Sequence, residues 1–223
     1  MMQKKVQIIS DGSLDLSQEL TKEKDIEVVP FYVSFDSETY QKEMVEVGVR
    51  EFYQEMVDHP TVFPKTSMPS VHDYYEVFEK YAKEQRPVIC ICITKKFSGS
   101  LQSATTAKDM ILEEYQDAQI TVIDSTVNTV LQGLYVLEAC RLRDRGLEYQ
   151  QSVDALLPIR ETGRIFFTIG SIDYLKHGGR IGRLAGIAAS ALKIKPLITL
   201  KEGEIFNSGI TRNRLKSMKK VVD

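Results

Sequence analysis

Apolar and polar positions along this chain follow two rhythms. Short, nearly all-apolar runs recur through the first two thirds: "VQIIS", "IEVVPFYVSF", "VICICIT" and "QITVIDS". Such runs, bounded by turn residues, predict strands. Between them lie stretches with helical spacing. "VGVREFYQEMVDH" sets Val49, Phe52, Tyr53 and Met56 on one face, and "VHDYYEVFEKYAKEQ" does the same with Tyr74, Val77, Phe78 and Tyr81. "LQSATTAKDMILEEY", "VNTVLQGLYVLEACRLRDRG" and "YQQSVDALLPIRETG" predict further helices, the second closed by Gly146. Pro30 interrupts the second apolar run and predicts an edge or a strand start there. Alternation of strand and helix to about Gly146 predicts βαβ units around a mostly parallel sheet.

The texture changes after about Gly163. "RIFFTIG" predicts a strand, "SIDYLKHGGRIGRLAGIAASALKI" is rich in glycine and alanine, and "KPLITLKEGEIFNSG" predicts two strands around a Glu202-Gly203 turn. The predicted fold class is α/β. An N-terminal domain over residues 1–160 has a mostly parallel sheet with flanking helices. A boundary near residues 155–163 leads to the start of a smaller α/β domain with antiparallel strands over 161–223. A helical pattern still runs at the final "MKKVVD", so a C-terminally shortened chain is expected.

Composition narrows the function. Hydrophobic residues make up 43% of 223, enough for a core, and the formal charge of -2 is spread over interspersed acids and bases. A nucleic-acid partner is not expected, because such proteins present a basic stripe. No apolar run reaches membrane-spanning length, and "MMQKKVQIIS" has too short an apolar stretch for a signal peptide. A cytoplasmic protein with reduced thiols is expected. Cys90 and Cys92 fall on one face of a strand and read as small buried hydrophobes. No metal-ligand spacing is present.

Candidate chemistry gathers at strand ends, where open α/β sheets bind ligands. "FSGS" follows "VICICIT" and carries Ser98, Gly99 and Ser100 into a helix start, whose unpaired N–H groups suit an anion. The plainer reading makes Ser100 an N-cap and Gly99 the turn. In "PKTSMPS", Ser70 and Asp73 form a capping-box-like start. Thr66 and Ser67 stand before that cap, which leaves them unexplained by it. "IDST" offers Ser125 at another strand end. In "SDGS", Asp11 either orients another group or caps a turn, and base rates favour the cap. "HGGRIGRLAG" places Gly178, Gly179, Gly182 and Gly186 around Arg180 and Arg183, which suit a carboxylate or phosphate; close packing is the default reading. It matches neither the dinucleotide fingerprint nor the P-loop. His177 is a candidate base without an identifiable partner, His59 reads as a surface residue at a helix end, and His72 reads as structural.

Taken in order, "KTSMPS", "FSGSLQSA", "IDS", "LKHGGRIG" and "LKIKPLITLKEGEI" resemble the motifs of the DegV family of bacterial fatty-acid-binding proteins, over nearly the whole chain. The resemblance implies a two-domain DegV-like α/β protein that holds a long-chain fatty acid between its domains. Its carboxylate would rest on Thr66 and Ser98, and its tail in an apolar tunnel. Ser67, Gly99, Ser125, Gly179 and Arg180 are candidate ligand or partner contacts. The family's role implies a non-catalytic carrier with no cofactor beyond the lipid. It presents the acid to a separate ATP-dependent fatty acid kinase, which makes acyl phosphate for phospholipid synthesis. Transient contact with a membrane surface fits that role. Two other readings stand beside it: an enzyme of phosphate or acyl groups using Gly178 to Arg183, and a lipid-responsive regulatory or interaction protein. The chain departs from the family pattern at Gly12, where a Ser is usual, and at Lys42, where an acid is usual. The family's later segment carries a His near the carboxylate, beyond the last residue here.

Overall fold

Every residue of β1 (Gln7–Asp11) and β6 (Val88–Cys92) is buried. They are the central pair of a parallel sheet in the order β2-β1-β6-β7, with β2 (Ile26–Val29) and β7 (Ile120–Asp124) outside them. Strand side chains alternate between faces, so continuous apolar runs fill two cores at once. Ile8, Ile89, Ile91 and Ile123 pack on one face against Tyr135, Val136 and Ala139 of α5 (Thr129–Asp144) and Leu156 of α6 (Tyr149–Ile159). On the other face, Ile9, Cys90 and Cys92 pack against Tyr74, Phe78 and Tyr81 of α3 (Val71–Lys83) and Ala104, Ala107 and Ile111 of α4 (Ser100–Glu114). A short helix, α1 (Gln18–Glu23), joins β1 to β2. The protein is described here by a computed structural model, over residues 5–184 and 194–223. The small-residue stretch around Gly186 and the side chain of Arg183 lie outside what is described.

Pro30 does more than mark an edge. Lacking an N–H and fixed in φ, it ends β2, and the chain leaves for a second sheet. There β3 (Tyr32–Ser34) pairs antiparallel with β4 (Gln41–Lys42) on one side and β5 (Lys65–Ser67) on the other. Only β3 falls within a run with strand pattern; β4 and β5 lie in stretches whose pattern predicts no strand. The expected helix α2 (Val49–Asp58) forms between β4 and β5, yet none of its residues is buried, and Val49, Tyr53 and Val57 are more than half exposed.

A third, antiparallel sheet has the order β10-β9-β8, from β8 (Phe166–Thr168), β9 (Lys195–Lys201) and β10 (Glu204–Thr211). Glu202 and Gly203, both at positive φ, close the β9–β10 hairpin as expected. Two helices accompany it, α7 (Asp173–His177) and the last described helix, α8 (Arg214–Val222). Its core of Leu184, Ile198, Leu200 and Ile205 also takes Phe97 and Val127, from the loops that follow β6 and β7.

Candidate functional site

The parallel sheet reverses its order at β1: the chain steps to β2 on one side, then returns to lay β6 on the other. The carboxyl ends of β1 and β6 therefore flank a topological switch point, where such sheets leave a crevice. Asp11 ends β1 there. Fully buried, it is the hub of a polar cluster. Its Oδ1 accepts from Ser13 Oγ (2.6 Å) and Gln132 Nε2 (2.8 Å), and its Oδ2 accepts from Ile93 N–H (2.9 Å) and Ser100 Oγ (2.7 Å). The turn-cap reading of Asp11 is thus corrected: it ties β1 to the loop after β6 and to the head of α4.

Ser100 is corrected with it. It is the first residue of α4, buried, and its hydroxyl also pairs with Tyr74 Oη at 2.6 Å. Burial pushes the Tyr74 phenol well up, so this cluster holds it neutral. The position before the helix belongs to Gly99, at φ -76°. Ser98 Oγ accepts the Ser100 N–H at 3.1 Å, which satisfies one open donor of the helix and leaves the Ser98 proton to be given elsewhere. Gly99 does not serve an unusual turn. A Cβ there would lie 2.5 Å from Met68 Sδ, so the absent side chain lets the "TSMPS" stretch close on the "FSGS" loop.

Thr66 reaches this point on β5, where it pairs with Val33 and stays exposed together with Lys65 and Ser67. Asp73 secures the strand's exit. Its Oδ2 accepts Ser70 N–H (2.8 Å) and Ser70 Oγ (2.6 Å), while Ser70 Oγ accepts Asp73 N–H (3.1 Å), the expected capping box. Asp73 Oδ1 accepts Tyr32 Oη at 2.8 Å and lies 3.3 Å from Lys42 Nζ. The cap of α3 is thereby fastened to β3 and β4.

A cavity of about 380 Å³ opens between the two loops. Thr66, Ser67, Ser98, Gly99 and Arg180 all line it, with Phe31, Met68, Ile93 and Phe97 as apolar walls. Five candidates scattered over more than a hundred positions thus meet in one place. Arg180 is held by backbone carbonyls: its Nε donates to Phe97 O (3.2 Å) and its Nη1 to Gly178 O. The other two candidates fall elsewhere. Ser125 is buried, and its hydroxyl is used inside its own turn, donating to Val127 O (3.0 Å) and accepting Val127 N–H (3.3 Å). Gly179, at φ +71°, turns the chain after α7 and does not line the cavity. His177 stacks on Phe63 (3.7 Å between centroids, 6° between planes), and its Nδ1 pairs with Asp173 O, a packing role. His59 and His72 face Glu55 and Glu76 one helical turn away, both exposed.

Thr66 also lines a second, larger cavity of about 620 Å³, bounded by Leu16, Val33, Met44, Val47, Val49 and Phe52, with Asp15 and Glu43 at its rim. The sequence reading missed it. Its one trace was the apolar face of α2, which lies along this groove instead of in a core. Among the described residues no cluster of His, Cys, Asp or Glu could hold a metal ion, and no helix is long and apolar enough to cross a membrane.

Comparison with known proteins adds four findings. The family model described as "Uncharacterised protein, DegV family" matches residues 5–223. A stearic-acid-binding protein of Eubacterium ventriosum is 46% identical with a TM-score of 0.93, over 97% of this chain and 74% of its own. A DegV family protein of Thermus thermophilus, described for its fatty acid binding, is 28% identical with a TM-score of 0.86, over 98% of this chain and 75% of its own. A DegV domain-containing protein of Caldanaerobacter subterraneus is 32% identical over 219 residues, 98% of this chain and 76% of the relative.

Proposed function

The chain belongs to the DegV family, and from that premise we propose that it binds a long-chain fatty acid, with the carboxylate in the cavity between Thr66 and Ser98. One observation carries the reading. Two hydroxyl-bearing loops, 32 positions apart, face each other across a 380 Å³ cavity at the switch point of the sheet. Thr66 and Ser98 supply O–H donors, the start of α4 supplies a positive dipole end, and the Arg180 guanidinium lines the same space. Phe31, Met68, Ile93 and Phe97 would receive the first methylenes, each buried CH₂ contributing about 0.8 kcal/mol. The Eubacterium ventriosum relative, described as binding stearic acid, supports a saturated long chain as one ligand.

The further step we propose is presentation. Lys65, Thr66 and Ser67 are exposed, so a carboxylate held there stands at the protein surface, within reach of a second protein. A cytoplasmic, ATP-dependent fatty acid kinase that converts the held acid to acyl phosphate fits this arrangement. The chain itself then acts as a carrier.

Organic extraction of the purified protein followed by mass spectrometry tests the binding step, and a lipid-free protein that also fails to take up added fatty acid overturns it. Hydrogen bonds to a charged group are worth about 1.5–3 kcal/mol each. Thr66→Ala or Ser98→Ala should therefore weaken affinity at least about tenfold, and the double variant about a hundredfold. Wild-type affinity in the double variant would remove these two residues from the site.

A further inference from the structure

Gly12 has no left-handed backbone to explain its missing side chain. Space explains it: a Cβ at residue 12 would overlap Glu43 Oε1 and lie 2.9 Å from Glu43 Cδ. A carboxylate from a distant part of the chain therefore occupies the room that Gly12 leaves. From this seat Glu43 grips Phe31 at both of its backbone groups. Glu43 Oε1 accepts the Phe31 N–H at 3.0 Å, and the Glu43 N–H donates to Phe31 O at 3.0 Å.

Phe31 is a wall of the 380 Å³ cavity and runs directly into β3, whose Val33 pairs with Thr66. On the other side of Gly12, Asp11 does the equivalent for the opposite wall, holding Ile93 N–H and Ser100 Oγ. Two carboxyl groups thus bracket Gly12, and each fixes one side of the cavity by a backbone hydrogen bond. Electrostatics opposes this seat for Glu43. Burial raises its carboxyl above the usual range, the Phe31 N–H works against that rise, and the charges of Asp11 and Asp15 add to it. What holds the side chain in place is its geometry with Phe31.

We propose that Glu43 is a positioning residue: seated in the space left by Gly12, it sets through Phe31 and β3 where Thr66 stands relative to Ser98. The inference rests on the reading of Thr66 and Ser98 as the carboxylate site. Glu43 does not line the 380 Å³ cavity; it acts through the backbone of another segment.

Fatty-acid affinity of the full chain, measured by displacement of a fluorescent fatty acid, tests it on a set of variants. Glu43→Gln keeps an acceptor in place and holds affinity within about twofold. Glu43→Ala weakens it roughly fivefold to tenfold while the protein remains folded at the assay temperature. In a Thr66→Ala background, Glu43→Ala adds less than about twofold, because the group it positions is already gone. Gly12→Ala weakens binding in the wild type and has little effect once Glu43 is Ala, since its clash has been removed. Wild-type affinity for Glu43→Ala, or an equal loss with and without Thr66, overturns the proposal. Amide hydrogen exchange at Phe31 and Thr66 provides a readout independent of lipid. Glu43→Ala speeds it and Glu43→Gln does not, and unchanged exchange overturns the positioning role even if the carboxylate-site reading stands. If wild-type protein binds no fatty acid yet the exchange effect appears, the site reading fails and the structural link survives.

Discussion

Asp73 and Glu43 are both half-buried carboxyl groups near the proposed site, and they are displaced in opposite directions. For Asp73, burial alone would raise the pKa. The Ser70 hydroxyl and N–H, the Tyr32 hydroxyl and Lys42 outweigh it, and the net displacement is below the ordinary 3.8. A carboxyl lowered on folding contributes stability that is complete above pH 3.8 and is lost as pH falls through the lower folded value. Glu43 has the reverse sign: raised above 4.5, its ionised form weakens the fold at neutral pH, and that penalty fades as pH falls through the folded value. Urea denaturation at pH 7 and pH 3 should show it. Asp73→Asn should lose about 0.5–1 kcal/mol at pH 7 through its weakened cap, and should lose less than wild type on acidification. Equal acid sensitivity in the two proteins would mean that Asp73 is not a source of that dependence. The Ser70–Asp73 cap was legible in the sequence because its partners lie three residues apart. The role of Asp11 was not, because its partners Ile93, Ser100 and Gln132 lie 82 to 121 residues away.

At the scale of elements, periodicity located strands and helices well and said less about what each packs against. The alternating faces of "VICICIT" became two cores, as a parallel sheet requires. The β4 and β5 strands of the second sheet escaped because strands of two or three residues carry no periodic signal. Helix α2 shows the opposite limit: its apolar stripe was legible from spacing, but not that it lines a groove with none of its residues buried. Gly99 acts between elements, since its missing side chain lets one loop touch another. Gly99→Ala should push the flexible, exposed end of Met68 into a less favourable rotamer and destabilise the protein by about 0.5–1.5 kcal/mol in thermal or chemical denaturation. Met68→Ala in the same chain should recover most of that loss, by giving the new Cβ room. Failure of the rescue would show that Gly99 is required for something other than this contact.

In the whole molecule, the third sheet is fastened over the ends of β6 and β7. Phe97 and Val127 enter its core, Thr94 Oγ1 donates to Gly203 O at 3.3 Å, and Lys96 lies 3.4 Å from Glu204. The change in sequence texture after residue 163 announced a different kind of sheet, and the Glu202-Gly203 turn announced its hairpin. Nothing local announced the fastening, which depends on pairs far apart in the chain. One such pair bears directly on the cavity. Phe63, three residues before Thr66, meets Tyr174 edge-on at 5.1 Å and stacks on His177, which lies three residues before Arg180 of the cavity wall. The stack therefore joins the approaches to both sides of the site. Aromatic contacts of this kind are worth about 0.5–1.5 kcal/mol beyond the area they bury. Phe63→Leu keeps an apolar side chain and loses the stack, so backbone amides of α7 should exchange hydrogen roughly three to ten times faster. Because Arg180 follows α7 by only three residues, fatty acid bound in the cavity should also dissociate faster. Unaltered exchange in α7 would show that the stack is not a tether. Faster exchange with unaltered dissociation would show that Arg180 keeps its place through Phe97 O alone.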